Sequence, residues 1–337
     1  MFLRAARLLS LLVVVALGGM GAECPPGPNG DGGPSPPTAT WKEAFDTGEA
    51  GSMSGVWGTG PDDVFAVGGG EQGTVVHYDG QAWSKMDLPA VPLLVWVHGT
   101  GPDDVFAVGV GGGAVRYDGS AWTRLDTGTT TDLWGVFAVA PNDVWVVGGD
   151  VDEGEPLILH YDGTTFTPVP VPAAENPLSA SALFKVWGIS DKLFAVGQRG
   201  LILEHQGGQW VNVPAGAEAN EDFVSLWGTS EDHIVAVGGR ANARVATYDG
   251  QSWDTIAPFG LGGINGVFMS EPAEALVVGV FGLAGIYDVA SGEIVEEDPG
   301  TFFDLHAVWG DGAGRHYAVG GNFLPPYRGI ALVREEP

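Results

Sequence analysis

A phrase that returns seven times constrains this chain more than any other feature. Gly55-Val56-Trp57-Gly58-Thr59-Gly60-Pro61-Asp62-Asp63-Val64-Phe65-Ala66-Val67-Gly68 recurs nearly letter for letter over residues 97–109. It returns more loosely over 137–148, 187–197, 227–238, 268–279 and 309–320. The aligned positions Trp57, His98, Phe137, Trp187, Trp227, Phe268 and Trp309 are spaced by 41, 39, 50, 40, 41 and 41 residues. A fixed period of this size means one supersecondary unit repeated, with neighbours stacking to bury what no unit can bury alone.

The content of each unit is β. Val64-Phe65-Ala66-Val67 is apolar throughout, as expected of a strand covered on both faces. Five copies carry a second signature further on: Tyr78-Asp79-Gly80 with Trp83, Tyr117-Asp118-Gly119 with Trp122, Tyr161-Asp162-Gly163 with Phe166, Gln206-Gly207-Gly208 with Trp210, and Tyr248-Asp249-Gly250 with Trp253. Asp-Gly between β-rich runs signals a hairpin. Each unit therefore reads as four strands, A around Trp57, B over 64–67, C over 74–78 and D over 82–86. Four-stranded units of about 40 residues are propeller blades, so the expected fold is an all-β, seven-bladed β-propeller.

The seventh unit supplies three strands, over 305–309, 316–319 and 329–333. A fourth lies at the other end, where Thr40-Trp41-Lys42-Glu43-Ala44-Phe45-Asp46-Thr47-Gly48 is similar to the strand D segment Trp122-Thr123-Arg124-Leu125-Asp126-Thr127-Gly128. The N-terminal strand is expected to complete the last blade. That would close the ring and remove its free edges, and a monomer is expected.

The segment before the propeller reads as an export signal. Arg4 and Arg7 precede an apolar run over 8–17 and small residues over 18–22, the order of a secretory signal peptide. The sole cysteine, Cys24, follows, and then a Pro/Gly-rich stretch with no means of building a core. The expected organisation is a signal peptide over 1–23, a tether over 24–39 and the propeller over 40–337. A lone cysteine here resembles a bacterial lipoprotein site, which implies lipid attachment at Cys24 and a place at the outer membrane or cell surface. Cleavage after Ala22, giving a periplasmic or secreted protein with a free thiol, is the other account.

The repeats carry two further resemblances. Gly68-Gly69, Gly148-Gly149, Gly238-Gly239 and Gly320-Gly321, followed by Tyr and then Trp, look like the kelch pattern, and the Asp-Gly turn before an aromatic resembles the Asp-box hairpin. The whole motif is most similar to propeller repeats of bacterial envelope proteins. The resemblance implies fold and brings no activity with it.

Strand order puts the A–B and C–D connections on one face of the disc and the B–C and D–A connections on the other. The first face carries the near-identical Pro-Asp-Asp and Tyr-Asp-Gly segments, which read as turns, with Asp62, Asp103 and Asn142 bonding local amides. The second face is where the copies differ, and variable loops on a rigid ring are the usual place for recognition. The candidate binding residues there are Asp150, Asp152, Glu153, Glu155, Arg199, Arg240, Asn322, Phe323, Tyr327 and Arg328. The 168–181 connection, which accounts for the 50-residue spacing, is on the same face. Asp150, Asp152 and Glu155 alternate with other residues as calcium ligands do, without the spacing of an EF-hand loop, and calcium is the only cofactor considered.

No catalytic constellation stands out. His77, His160 and His205 share one repeat position, a structural slot, and no pair has zinc spacing with a third ligand nearby. Gly109 to Gly113 joins two strands and is no phosphate loop. Asp and Glu number 42 against 14 Lys and Arg, a formal net charge of −28, which repels nucleic acid. The function read from the sequence is therefore a binding or scaffold module for an envelope protein or glycan, contacting the membrane through its lipid anchor alone. A glycan hydrolase or lyase working at the mouth of the central channel is the alternative, and it requires carboxylates or histidines that point inward together.

Overall fold

The computed structural model describes residues 39–172 and 180–336. The signal segment, Cys24 and most of the tether fall outside it, as does 173–179 of the 168–181 connection. The described chain forms seven antiparallel sheets of four strands, each running A-B-C-D. In blade 1 these are Ser52–Gly60, Asp63–Gly69, Gly73–Tyr78 and Trp83–Lys85. The A strands of successive blades contact one another around the ring, and that of blade 7 contacts that of blade 1. Strand A therefore lines the central channel. No helix among the described residues is long and apolar enough to cross a membrane.

Closure is as the sequence implied. Thr40–Glu43 pairs antiparallel with Gly329–Glu335, Trp41 opposite Arg334. The junction is pinned by Glu297 in blade 6, whose carboxylate accepts from Trp41 Nε1 at 2.8 Å and from Arg334 Nε and Nη2 at 2.9 and 2.8 Å. Burial would raise the Glu297 pKa, but these bonds to the ionised form outweigh it and hold the pKa below the ordinary value.

The repeated residues are explained by contacts between blades. The aromatic side chain before each Gly of the Trp-Gly step reaches over the corresponding Gly of the next blade. A Cβ added at Gly99 would sit 3.0 Å from Trp57, one at Gly228 3.0 Å from Trp187, and one at Gly58 2.9 Å from Trp309. Glycine is needed there so that a ring can lie on the backbone. The result is a belt of rings around the channel, with centroids 5.1 Å apart for Trp57–His98, 4.5 Å for His98–Phe137, 5.7 Å for Trp187–Trp227 and 5.1 Å for Trp227–Phe268. His98 joins this belt as a neutral ring. Its Nδ1 accepts the Ala138 N–H at 3.1 Å, and desolvation, with Lys185 adding to it, pushes its pKa down to about 3.

The Trp of the second signature does the same work at the rim. It packs edge-on against the strand B aromatic of the preceding blade, at 6.3 Å for Phe65–Trp122, 5.4 Å for Trp145–Trp210, 5.4 Å for Phe194–Trp253 and 5.6 Å for Tyr317–Trp83. Such edge-to-face pairs contribute about 0.5–1.5 kcal/mol each beyond the area they bury.

The Tyr-Asp-Gly segments are turns, as expected. Asp79 Oδ1 accepts the Gln81 and Ala82 N–H groups at 2.9 Å, and Asp118, Asp162 and Asp249 repeat the arrangement. Gly80 has φ +87°, and a Cβ on it would lie 2.8 Å from that of Asp62, so the two turns of a blade pack together. One expectation changes. In Pro-Asp-Asp the second Asp carries the polar contacts: Asp63 accepts from Thr59 and pairs with His77, and Asp104 accepts from Thr100 and pairs with Arg116.

The histidine slot is also revised. His77 and His160 pair with Asp63 and Asp143 at 2.6 and 2.8 Å. In blade 4, however, the residue facing strand B in that slot is Glu204, which pairs with Lys192 at 2.6 Å. Gln206 pairs directly with Gln209 across Gly207-Gly208, two residues of positive φ. That turn is two residues shorter than the Asp-Gly loops, so the strand C register shifts by one and His205 lies between Trp145 and Trp210 instead.

Candidate functional site at the channel mouth

A device that the repeat alignment hides lies at the start of strand A. In all seven blades the strand A to strand B register slips by one residue at the same place, between Met53 and Gly55 in blade 1 and at the equivalent step in the others. A β-bulge leaves one residue outside the ladder and re-aims its side chain. The seven bulge residues are Ser54, Val95, Trp134, Phe184, Val224, Asn265 and His306, and all seven line one cavity of about 90 Å³ in the channel. Trp96, Lys185, Ser225 and Phe323 complete the wall. Because strand A begins at the D–A connection, this cavity lies at the end of the channel nearest the variable face. Phe323, from the blade 7 B–C loop, stacks on His306 with centroids 4.9 Å apart.

The wall is mostly apolar, with few polar atoms. Trp134 Nε1 donates to Gly149 O at 2.9 Å, Ser54 Oγ to Leu94 O at 3.0 Å and Asn265 Nδ2 to Leu305 O at 3.0 Å. His306 Nε2 donates to Gly321 O at 2.9 Å, which leaves Nδ1 buried without a partner. Burial lowers the His306 pKa. Lys185 is 3% exposed, its Nζ stands over the Trp96 ring, and desolvation drives its pKa well below the ordinary lysine value. Among the described residues the wall contains no Asp or Glu.

The candidate residues read from the sequence take different places. Phe323 enters the cavity wall. Tyr327 packs against Gly70 of blade 1, joining the B–C loops of blades 7 and 1. Asn322 closes its own loop, accepting the Arg328 N–H at 3.0 Å, and the Arg328 side chain is exposed. Asp150 Oδ1 accepts the Asp152 N–H at 3.0 Å, while Asp152, Glu153 and Glu155 are exposed. Asp150, Asp152 and Glu155 do not converge as a calcium site requires. Among the described residues no group of three or more His, Cys, Asp or Glu side chains could hold a metal ion.

Arg240 and the backbone of Arg199 have a structural explanation, while the Arg199 side chain is exposed on the variable face. Asp222, 6% exposed and one residue before strand A of blade 5, accepts from the Arg199 backbone N–H at 3.1 Å and from Arg240 Nε at 2.9 Å. Asp132 and Asp304 occupy the same position in blades 3 and 7 and accept from Gly111 and Phe281 at 2.6 and 2.8 Å. These latches tie a tight B–C turn to the next blade. The donor residue is left-handed each time, with φ of 63° at Gly111, 57° at Arg199 and 57° at Phe281, so the turn conformation is imposed even on bulky residues.

The same face carries exposed apolar side chains that the sequence reading missed. Among the described residues the exposed large apolar side chains are Val139, Phe259, Phe281, Val295, Phe302 and Leu324. Four of them, Phe259, Phe281, Phe302 and Leu324, stand on B–C or D–A connections of blades 5 to 7. The available signal was a phenylalanine directly before a loop glycine, in Phe259-Gly260 and Phe281-Gly282.

Several solved structures share this architecture. The chain is similar to "YCF48 bound to D1 peptide" at 13% identity and TM-score 0.66, covering 88% of this chain and 97% of that one. It is similar to the WD40 β-propeller domain of Doa1 at 9% identity and TM-score 0.69, covering 89% and 98%. YCF48 from Cyanidioschyzon merolae matches at 14% identity and TM-score 0.65, over 88% and 98%. What is shared is the propeller fold. No family model matches the chain, and no curated protein is similar to it.

Proposed function

We propose that this propeller is an exported binding module, tethered through an acylated Cys24, whose variable face holds a protein partner in the cell envelope. The observation that carries the reading is the exposure of Phe259, Phe281, Phe302 and Leu324 on that face. Exposing several large apolar side chains on one face is unfavourable unless a partner covers them, and apolar surface of this kind marks interaction sites. Rigid strands present the loops, so little is lost in ordering them on binding. Phenylalanines have no polar handle for sugar hydroxyls, which favours a protein over a glycan. One similar solved structure, that of YCF48, is described with a D1 peptide, in keeping with this reading.

The test is a crosslinking pull-down from native envelopes of the source organism using residues 40–337, beside a variant in which Phe259, Phe281, Phe302 and Leu324 are changed to Ser. Recovery of one protein by the parent and its loss by the variant supports the assignment. Equal recovery by both removes the patch from the account, and recovery of glycan alone replaces the partner class. Mass analysis of the mature N-terminus tests the anchor. An unmodified Cys24 contradicts it.

A further inference from the structure

The apolar patch explains why a partner would settle on this face, but it does not explain the cavity at its centre. Seven blades each give up a ladder position to aim a side chain at one point, and the residue type differs nearly every time: Ser54, Val95, Trp134, Phe184, Val224, Asn265 and His306. A purely structural plug would be served by apolar residues throughout, as at the preceding core positions Met53, Leu94, Leu133, Leu183, Phe223, Ile264 and Leu305. The mix of polar, aliphatic and aromatic side chains at the inward-facing bulge position is instead what a particular content of the cavity calls for.

The content can be read from the wall. Six of its residues are apolar, Val95, Trp96, Trp134, Phe184, Val224 and Phe323. Against them stand one amine, Lys185 Nζ, whose contact among the described residues is the Trp96 face, and one bare imidazole nitrogen, His306 Nδ1. Burying an amine without an anionic partner is costly, and in a protein of net charge −28 the wall nevertheless contains no Asp or Glu among the described residues. An apolar pocket with a few convergent polar groups is the usual form of a small-ligand site.

We propose that this cavity binds a carboxylic acid carried on a small branched apolar group, with the carboxylate paired to Lys185 Nζ and the apolar group against Trp96, Trp134 and Phe184. The acid supplies both members of the ion pair, since its proton passes to the neutral amine and the carboxylate it leaves accepts from the resulting ammonium. His306 Nδ1 takes a second hydrogen-bond donor of the ligand. A cavity of about 90 Å³ is smaller than the about 150 Å³ that holds benzene, so an acid of about four or five carbons fills it and extends into the channel mouth. The same chemistry is presented by a free short-chain acid and by a polypeptide carboxyl terminus ending in a residue such as valine. This site rests on reading the variable face as the recognition surface, and it deepens that reading.

The experiment is ligand-observed NMR on residues 40–337 with isovalerate and its neutral counterpart isovaleramide, and with an acetylated tripeptide ending in valine as the free acid and as the amide. Each is titrated into the parent protein and into Lys185→Met. Methionine keeps the chain length and the contact with Trp96 and removes the charge, so this variant should melt no lower than the parent. The expected result is that the acids bind at least roughly tenfold more tightly than the amides, and that Lys185→Met abolishes the preference. Tighter binding of the tripeptide acid assigns the site to a chain terminus, and tighter binding of isovalerate assigns it to a free acid. Equal affinity for acid and amide, a preference that survives Lys185→Met, or no saturable binding up to about 10 mM overturns the proposal. A pull-down with Lys185→Met separates the two readings. If the partner is still recovered while acid binding has failed, the recognition face stands and only the cavity assignment falls.

Discussion

Lowering the pH should weaken this propeller through one ring in its aromatic belt. His98 lies between Trp57 and Phe137, and its Nδ1 must keep its lone pair to accept the Ala138 N–H. Its pKa in the folded protein is pushed down to about 3 by desolvation first and Lys185 second. The unfolded chain, with an ordinary histidine near pH 6.5, takes up the proton first, so stability is intact above that pH and falls as the pH drops toward 3. Each pH unit within this window costs about 1.4 kcal/mol, which makes the loss between pH 7 and pH 5 about 2 kcal/mol from this group alone. His98→Phe supplies the ring that blades 3 and 6 use at the same position, Phe137 and Phe268, but leaves the Ala138 N–H unpaired, at a cost of about 1–2 kcal/mol at pH 7. His205, His306 and His316 also have lowered pKa values because of burial, but both proteins contain them and they cancel in the difference. Guanidinium unfolding of parent and variant at pH 7 and pH 5 reads the effect directly. The variant should be the less stable at pH 7 and equal or more stable at pH 5. Parallel losses in the two proteins would refute the argument.

Other perturbations follow from the same contacts. Asp222→Ala leaves the Arg199 N–H unpaired and removes the ion pair with Arg240, and should cost about 2–3 kcal/mol by chemical unfolding; a loss under about 0.5 kcal/mol would remove the latch from the account. Glu297→Ala breaks the paired contact with Arg334, which is 8% exposed, and frees Trp41 Nε1, with an expected loss of about 3 kcal/mol and faster hydrogen exchange of Thr40–Glu43. Gly99→Ala pushes a methyl group against the Asp104 carbonyl oxygen and, next, the Trp57 ring and should cost about 2–3 kcal/mol, whereas Gly101→Ala on an open turn should stay within about 0.5 kcal/mol.

What the sequence discloses, and what it hides, divides along physical lines. Blade number, strand order and ring closure are legible because Trp-Gly, Asp-Gly and the apolar B strands serve local or nearest-neighbour needs that recur in every copy. Thr40–Glu43 could be assigned to blade 7 because it repeats a strand D pattern. The bulge is not legible, because a one-residue slip between strands leaves the spacing along the chain unchanged. Its trace is the position three before the aromatic of the Trp-Gly step, which is polar in some copies and apolar in others while the position before it is apolar in all seven. His205 was aligned to the histidine slot because a two-residue turn replaced a four-residue one, and only pairing shows that Glu204 occupies it. Arg240 reads as a recognition residue because charge on a variable loop looks available, and Asp222, 18 residues earlier, engages its guanidinium, whereas of Arg199 Asp222 takes only the backbone N–H. The exposed phenylalanines escaped notice because apolar residues in a sequence this rich in core strands carry no mark of exposure.

The central claim is that the variable face, gathered around the channel mouth, is where this protein meets its partner. Site-specific photocrosslinking tests it most directly, with a photoreactive residue placed in turn at Asp152, Phe281 and Leu324 on that face and at Gln81, Ser120 and Thr164 on the opposite one, all six exposed. The account predicts one crosslinked protein from the first three positions and none from the other three. Crosslinks to that protein from the Asp-Gly turns, with the variable face silent, would contradict it.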